Sequence, residues 1–222
     1  MRRSAEAPSL TQRELADAWE GAVAGSGLPV AWTDTATPRV RLSFGAALPV
    51  GVAGEAELID VYLTQRWPTW RVREALSGRL PAGFTLVDLY DVWLAGPALP
   101  GRVTAADYRI ALAGAVDAAK VDAACGWLLA AETLPRARMK GGATVRYDLR
   151  PLLVEIAVVE PGPPVVVRAR TRFHPELGTG RPDEVIAALA DAADEPLEAA
   201  TIVRERLILL DEDPDDTSPG HD

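Results

Sequence analysis

Two tight turns between alternating strands restrict the fold of this chain more than any other feature of its sequence. Gly141-Gly142 separates strands predicted at 133–140 and 143–148. A second turn, at 160–164, separates strands predicted at 152–159 and 165–173. Turns this short join antiparallel neighbours, because parallel strands need a crossover of a dozen or more residues. The turns therefore argue against a parallel, doubly wound sheet.

The second half of the chain predicts the order β-α-β, then an extra hairpin, then β-α-β. A strand at 107–112 precedes a helix, and a second helix at 182–193 precedes a last strand at 201–210. Helical spacing places these apolar residues on one face of the first helix: Val121, Ala124, Cys125, Leu128 and Leu129.

The first half predicts α-β-β-α-β. Thr11 and Glu14 form a capping box, and a helix follows in which Leu15, Trp19 and Val23 share one face. Strands at 39–44 and 57–63 come next, separated by a Gly-rich loop at 45–54. A helix at 70–79 and a strand at 85–94 complete this half. No strand is predicted before the first helix.

This order of elements predicts an α+β fold of two tandem ferredoxin-like modules, antiparallel sheets with helices on one face. The first module, residues 9–96, lacks its opening strand, and the second, residues 102–210, contains the extra hairpin. The Gly- and Pro-rich segment 95–101 is the predicted boundary. Residues 211–222 are dense in acidic side chains and are predicted to be a disordered tail.

Composition excludes several classes of protein and site. No apolar stretch approaches the 18 residues of a membrane span, and the N-terminus lacks the apolar run of a signal peptide, so we expect a cytoplasmic protein. The single cysteine, Cys125, excludes an internal disulfide and indicates a small buried side chain. With only His174 and His221 as histidines, we expect no metal site and no cofactor.

The net charge of −9 is unevenly distributed. Residues 1–130 carry a net charge of −2, residues 131–182 carry +4, and residues 183–222 carry −11. The acidic average therefore conceals a basic middle segment.

Basic side chains alternate with other side chains along two predicted strands of this basic segment. One set comprises Arg168, Arg170, Arg172 and His174, and the other comprises Arg136, Arg138 and Lys140. Because successive strand residues point to opposite faces, each set forms a basic stripe. If both stripes lie on an open sheet face, they suit phosphates. The alternative is a solvated face whose arginines pair with Glu132, Glu155 or the acidic tail, and we expect that tail to screen the stripe.

Three smaller groups of residues have both functional and structural interpretations. Gly180 and Arg181 precede a helix that begins at Pro182, where free N–H groups suit either a phosphate or plain capping. His174 is the only plausible histidine base, or else a structural residue. Carboxylates cluster at a loop-to-strand junction, where they suit acid–base chemistry or a solvated edge: Glu55, Glu57 and Asp60.

Several stretches resemble a known family. They are Pro38-Arg39-Val40-Arg41-Leu42-Ser43-Phe44-Gly45-Ala46-Ala47-Leu48-Pro49-Val50-Gly51, then Glu55-Ala56-Glu57-Leu58-Ile59-Asp60-Val61, Asp148-Leu149-Arg150-Pro151-Leu152 and Gly178-Thr179-Gly180-Arg181-Pro182-Asp183-Glu184-Val185. Together they resemble the radical-SAM-associated domain of unknown function, and the resemblance implies that this chain is an N-terminally truncated, divergent member. The Ser-His-x-Asp and Tyr-Ser-x-Gly-Phe-x-Pro-His-Pro motifs usual in that family are missing here.

The resemblance implies a role beside a cobalamin-binding radical SAM protein in RNA modification or processing. We therefore expect a non-catalytic accessory protein that presents RNA, or another anionic substrate, to a radical SAM enzyme. One alternative is an RNA-processing enzyme that uses His174 and nearby arginines, and another is a degenerate protein-interaction module. A radical SAM protein and RNA are the expected partners. No membrane association is expected, and the sequence leaves the oligomeric state open.

Overall fold

The computed structural model describes residues 1–7, 10–92 and 96–210. The chain divides into two compact units, the first spanning Met1–Val103 and the second beginning at Thr104. Both units mix helices with antiparallel strands, as the α+β prediction requires. No helix in the described ranges has the length and apolar character needed to cross a membrane.

The first unit combines short strands with two longer helices. Its elements are β1 (Arg2–Arg3), α1 (Gln12–Ala24), β2 (Leu42–Phe44), β3 (Ala53–Gly54), β4 (Ile59–Val61), α2 (Thr69–Leu76), β5 (Phe84–Thr85) and α3 (Leu99–Arg102). Strand β1 pairs antiparallel with both β3 and β5, and β2 pairs antiparallel with β4.

Helix α1 begins at the predicted capping box. Thr11 Oγ1 accepts the N–H of Glu14 at 3.3 Å, and Glu14 Oε2 accepts the N–H of Thr11 at 2.8 Å. Its apolar face, with Trp19 1% exposed and Val23 fully buried, forms the core of this unit. Trp19 packs edge-to-face on Phe84 with ring centroids 5.7 Å apart.

Three sequence predictions for the first unit are wrong. A two-residue strand, Arg2–Arg3, precedes the first helix, so an opening strand is present although it is too short to show alternation. Strand β3 lies inside the predicted loop at 45–54. The strand predicted at 85–94 is reduced to Phe84–Thr85, and residues 86–92 have no regular structure. Val87 and Tyr90 are exposed there, and Leu89 packs against the core of this unit although the segment forms no strand.

The second unit is built on longer strands. Its elements are β6 (Val103–Leu112), α4 (Ala118–Ala130), β7 (Pro135–Lys140), β8 (Ala143–Asp148), a 3-10 turn (Arg150–Leu152), β9 (Leu153–Glu160), β10 (Val166–His174), β11 (Gly178–Thr179), α5 (Pro182–Ala193) and β12 (Ala199–Leu209). Strand β6 lies between β12 and β10, and β10 also pairs antiparallel with β9 and β11. Strands β7 and β8 form a separate two-stranded sheet.

The extra hairpin and helix α5 agree with their predictions. Gly141 and Gly142 both have positive φ, 58° and 82°, which is the backbone that a two-residue hairpin turn requires. Helix α5 begins at Pro182 and ends at Ala193, as predicted. Helices α4 and α5 pack on each other and on the sheet formed by β9 and β10, so both helices cover the same face.

A clasp formed by Asp148 and Arg150 joins helix α4 to the sheet. Asp148 Oδ1 accepts the N–H of Leu134 at 2.7 Å and the N–H of Arg150 at 2.9 Å. The Arg150 guanidinium donates to the carbonyls of Leu129 at 2.8 Å, Ala131 at 3.2 Å and Leu153 at 2.7 Å. Carbonyls in the last turn of a helix have no partner within the helix, so Arg150 satisfies groups that α4 itself cannot. The acidic segment predicted as a disordered tail, residues 211–222, lies outside the described residues.

Replacing Arg150 with Ala should lower the free energy of unfolding by about 2 kcal/mol or more, because three carbonyls lose a charged donor. Arg146→Ala removes the same side chain from an exposed position of β8 and should change stability by no more than about 0.5 kcal/mol. Urea denaturation of both variants measures the difference. Equal stability of the two variants would show that the clasp contributes nothing.

Candidate nucleic-acid interface

The alternation predicted for β10 places its arginines and its buried residues on opposite faces of the sheet. Val167, Ala169 and Thr171 are fully buried. Arg168 and Arg170 point to the other face, where they meet charged residues of β6 and β12. The basic stripe of β10 therefore lies on a sheet face to which β6 and β12 also contribute charged side chains.

Asp107 on β6 is the central acceptor of this face. Arg170 donates to it through Nε at 2.7 Å and Nη2 at 3.1 Å, and Arg206 of β12 donates through Nε at 2.9 Å. The Asp107 side chain is 8% exposed. One carboxylate thus holds two guanidiniums from the strands on either side of it.

The environment of Asp107 keeps its carboxylate ionised. Burial by itself would raise the pKa of Asp107, but hydrogen bonds from Arg170 and Arg206 outweigh burial and lower it. The charged form is therefore the one that the folded protein stabilises.

A second shared carboxylate lies beside the first. Glu205 Oε2 accepts the Nε–H of Arg168 at 2.8 Å, and Glu205 Oε1 lies 3.7 Å from Nε of Arg109. Arg109 also lies 3.8 Å from Glu160. The side chains of Arg168, Arg109 and Arg206 remain 52%, 44% and 56% exposed. We call the arginine face the set Arg109, Arg168, Arg170, Arg172 and Arg206 together with Asp107 and Glu205.

The basic residues of the hairpin lie elsewhere, so the two stripes do not share one sheet face. Strand β7 belongs to the two-stranded sheet, not to the sheet that contains β10. Arg136 forms a salt bridge with Asp191 of α5, and the Arg138 guanidinium lies 5.0 Å from the ring centre of Tyr147. Lys140 ends β7 opposite Ala143, and its side chain is outside the description.

Gly180 and Arg181 have structural roles in the folded chain. The N–H of Gly180 donates to the carbonyl of Arg172 at 2.9 Å, and its carbonyl accepts the Thr171 hydroxyl at 2.8 Å. A Cβ atom at this glycine would lie 2.8 Å from the carbonyl oxygen of Leu152. Arg181 donates to Asp183 at 3.0 Å. Because the Gly180 N–H already has an acceptor, close packing explains this glycine better than a phosphate does.

The hydrogen bonds of His174 bear on the alternative that this residue acts as a catalytic base. His174 Nδ1 accepts the backbone N–H groups of Glu176 at 3.2 Å and Leu177 at 3.1 Å. Those two bonds place the neutral imidazole proton on Nε2, so neither nitrogen offers a free lone pair to a substrate. His174 therefore closes the turn between β10 and β11.

The remaining residues that the sequence singled out do not form a site together. Glu57 is 4% exposed, Glu55 is exposed, and Asp60 is half-buried with a pKa raised by burial. Cys125 is 2% exposed, and burial raises the pKa of its thiol to about 11, as expected of a packed side chain. Within the described ranges, no group of three His, Cys, Asp or Glu side chains is arranged to hold a metal ion.

Sequence reasoning missed four members of the arginine face: Asp107, Arg109, Glu205 and Arg206. Asp107 and Arg109 occupy alternate positions of β6, and this spacing indicates a charged sheet face. On β12 the alternation gives no such signal, because Arg204 is buried and Glu205 and Arg206 are adjacent in sequence. Their pairing across strands depends on the sheet order, which local patterns do not give.

Comparison with known proteins gives one family and one similarity of fold. A family model described as "Uncharacterized protein conserved in bacteria (DUF2344)" matches residues 2–185. No curated protein matches the sequence. A chain in the solved structure titled "Crystal Structure of a Cbf5-Nop10-Gar1 Complex" aligns with a TM-score of 0.52 at 11% identity, over 93% of this chain and 47% of that chain. This chain thus spans about half of that one, and the similarity is one of fold alone.

Asp107→Asn should lower the free energy of unfolding at pH 7 by about 1–3 kcal/mol, because two guanidiniums lose a charged acceptor. The folded state lowers the pKa of Asp107, so this stabilisation is complete above the unfolded pKa of about 3.9 and is lost as pH falls further. The gap between wild type and variant should therefore narrow below about pH 4.

Urea denaturation at several pH values measures this gap, with Asp34→Asn at an exposed loop position as the control. A gap that is the same at pH 3 and pH 7 would contradict the shared-carboxylate account.

Gly180→Ala should destabilise the protein by about 1–3 kcal/mol, because the new methyl group would overlap backbone at Leu152. Gly162→Ala is the matched control, since a Cβ there meets nothing within 4 Å, and stability should stay level or rise by up to about 1 kcal/mol. Thermal denaturation measures both variants. A neutral Gly180→Ala would exclude the packing explanation.

Proposed function

The chain belongs to the bacterial DUF2344 family, and we propose that it is a non-catalytic accessory protein whose arginine face binds the phosphate backbone of RNA. The observation that carries the proposal is the pair of shared carboxylates, Asp107 and Glu205, each holding two arginines. Asp107 holds Arg170 and Arg206, whereas Glu205 shares Arg109 with Glu160, and Glu155 lies opposite Arg170 in the strand register. The five arginines of the face therefore meet four carboxylates, and the face keeps a small positive charge although the protein as a whole is acidic.

The geometry of the arginines suits phosphate. Arg168 and Arg206 each use Nε in the salt bridge, and about half of each side chain stays exposed. Their side chains are already held in place by the carboxylates, so a phosphate would meet positioned donors and the ordering cost of binding would be reduced. Arginine also presents a planar set of donors that matches phosphate oxygens better than lysine does.

The order of strands supports a ferredoxin-like module in the second unit. With the hairpin set aside, the strands lie in the order β12, β6, β10 and β9, with α4 and α5 on one face. Several RNA-binding domains use the open sheet face of such a module, an analogy of fold and not of residues. The first unit repeats the alternation of strands and helices on shorter strands, and we extend the module proposal to it.

A non-catalytic role agrees with the position of His174, whose Nδ1 is occupied by two backbone N–H groups. The radical SAM partner is part of this proposal because of the sequence resemblance. Affinity purification of the tagged protein with candidate radical SAM proteins from its own genome tests it. Stable co-elution supports the partnership, and its absence at high expression of both proteins counts against it.

Binding should have low sequence specificity, because phosphate contacts carry no base information. Neutralising two arginines should therefore lower the affinity for single-stranded RNAs of different sequence to a similar extent. It should also lower the slope of log affinity against log salt by about 1.4, since each lost contact to a single strand removes about 0.7.

The test variant is the double replacement Arg168→Gln and Arg206→Gln. Arg170 stays, because it supplies two of the three hydrogen bonds to the nearly buried Asp107, whereas Arg206 supplies one. The matched control, Arg13→Gln with Arg79→Gln, makes the same change of charge at exposed positions of the first unit. A salt titration of RNA binding in which both double variants behave alike would reject the arginine face.

A further inference from the structure

A pocket of about 310 Å³ opens on the second unit between the end of α4, the start of β7 and the end of α5. Its walls include Trp127 from α4, Leu134 and Arg136 at the start of the hairpin, and Asp191 and Ala192 from α5. This volume is at the lower end of the range usual for small-ligand pockets, about 300–1,000 Å³. Nothing in the arginine-face proposal uses these residues.

Arg136 is only partly satisfied by the protein. Its Nη1 donates to Asp191, while its Nε is buried and has no hydrogen-bond partner among the described residues. The Arg136 side chain is 16% exposed, whereas that of Asp191 is 71% exposed. A buried donor without an acceptor is costly, so the protein itself does not fully satisfy this guanidinium.

The salt bridge between Arg136 and Asp191 restricts the charge of a ligand that this pocket can bind. Asp191 already balances the charge of Arg136, so a simple anion would gain no net attraction and would face the Asp191 carboxylate. The pair instead presents the guanidinium N–H groups of Arg136 and the exposed carboxylate acceptor of Asp191. Its complement is a neutral group with an acceptor and a donor side by side.

Trp127 supplies the third element of the site. Its indole is 58% exposed although it is large and apolar, and it lines the pocket together with Leu134 and Ala192. An exposed aromatic plane at a pocket wall favours a flat partner, and nucleobases stack on such planes with about 1–3 kcal/mol each.

We propose that this pocket binds a nucleobase. The base stacks on Trp127, accepts an N–H of the Arg136 guanidinium on a ring nitrogen or carbonyl oxygen, and donates an N–H to Asp191. Cytosine and guanine each carry an acceptor beside a donor on one edge, as adenine and uracil also do, so the pocket is expected to accept any of the four bases. The proposal rests on RNA as the ligand of the arginine face, and it adds a base-recognition site to a protein otherwise expected to contact only phosphates.

The experiment uses cytidine and guanosine, which lack phosphate and therefore do not engage the arginine face. Saturation-transfer NMR against the full chain should show both nucleosides bound at millimolar concentration. Trp127→Ala should lower the affinity at least tenfold, whereas Trp127→Phe, which keeps an aromatic plane, should retain most of it. Arg136→Lys keeps the charge beside Asp191 but removes the planar guanidinium, and it should also weaken binding about tenfold.

Trp70→Ala is the matched control, because Trp70 is 64% exposed and lies in the first unit. It should leave nucleoside binding unchanged. The pocket proposal is overturned if neither nucleoside binds, or if Trp127→Ala and Arg136→Lys bind them as well as wild type does. The Arg168→Gln and Arg206→Gln variant separates the two proposals, because it should bind nucleosides normally even when its RNA affinity falls.

Discussion

The carboxylate of Asp107 is the interaction on which the charged sheet face depends. It lies on β6, between the two strands that supply Arg170 and Arg206, and it is nearly buried. A buried carboxylate is tolerated only when charged donors surround it, and here the two arginines supply three hydrogen bonds. The same bonds fix the arginines, so one residue both stabilises the sheet and arranges the surface proposed to bind phosphate.

The opposite side of the second unit depends on a different polar residue. Arg150 joins the end of α4 to the start of β9 through three carbonyls, and Asp148 holds the adjoining turn. Gly180 lies so close to the Leu152 carbonyl oxygen that a Cβ atom at this position would overlap it. Both residues belong to stretches on which the family resemblance rests. Their contacts give these two positions a role in packing.

Local patterns in the sequence were enough to predict much of the second unit. The alternation along β10, the two glycines of the hairpin and Pro182 at the start of α5 each act within a few residues, and each was predicted correctly. Strand β1 was missed because two residues cannot show a period, and its pairing partners are distant in sequence. The 85–94 strand was wrongly predicted because alternation alone does not supply a neighbouring strand.

In the candidate site, too, local patterns were predicted from the sequence and long-range contacts were not. Parity along each strand correctly grouped Arg168 with Arg170, and Arg136 with Arg138. It could not show that the two groups belong to different sheets, nor that Asp107 lies opposite Arg170 in the strand register. Register and sheet order are long-range properties, so the partners that decide the charge of the face came only from the structure.

The most direct measurement of the central claim is the NMR signal of each arginine Nε–H during a titration with inorganic polyphosphate. This probe carries the charge of an RNA backbone and no bases. The account predicts saturable shifts for Arg168 and Arg206, and none for Arg150 or Arg136, whose guanidiniums are held by carbonyls and by Asp191. Unchanged Arg168 and Arg206 signals, or equal shifts at Arg136 and Arg150, would contradict it.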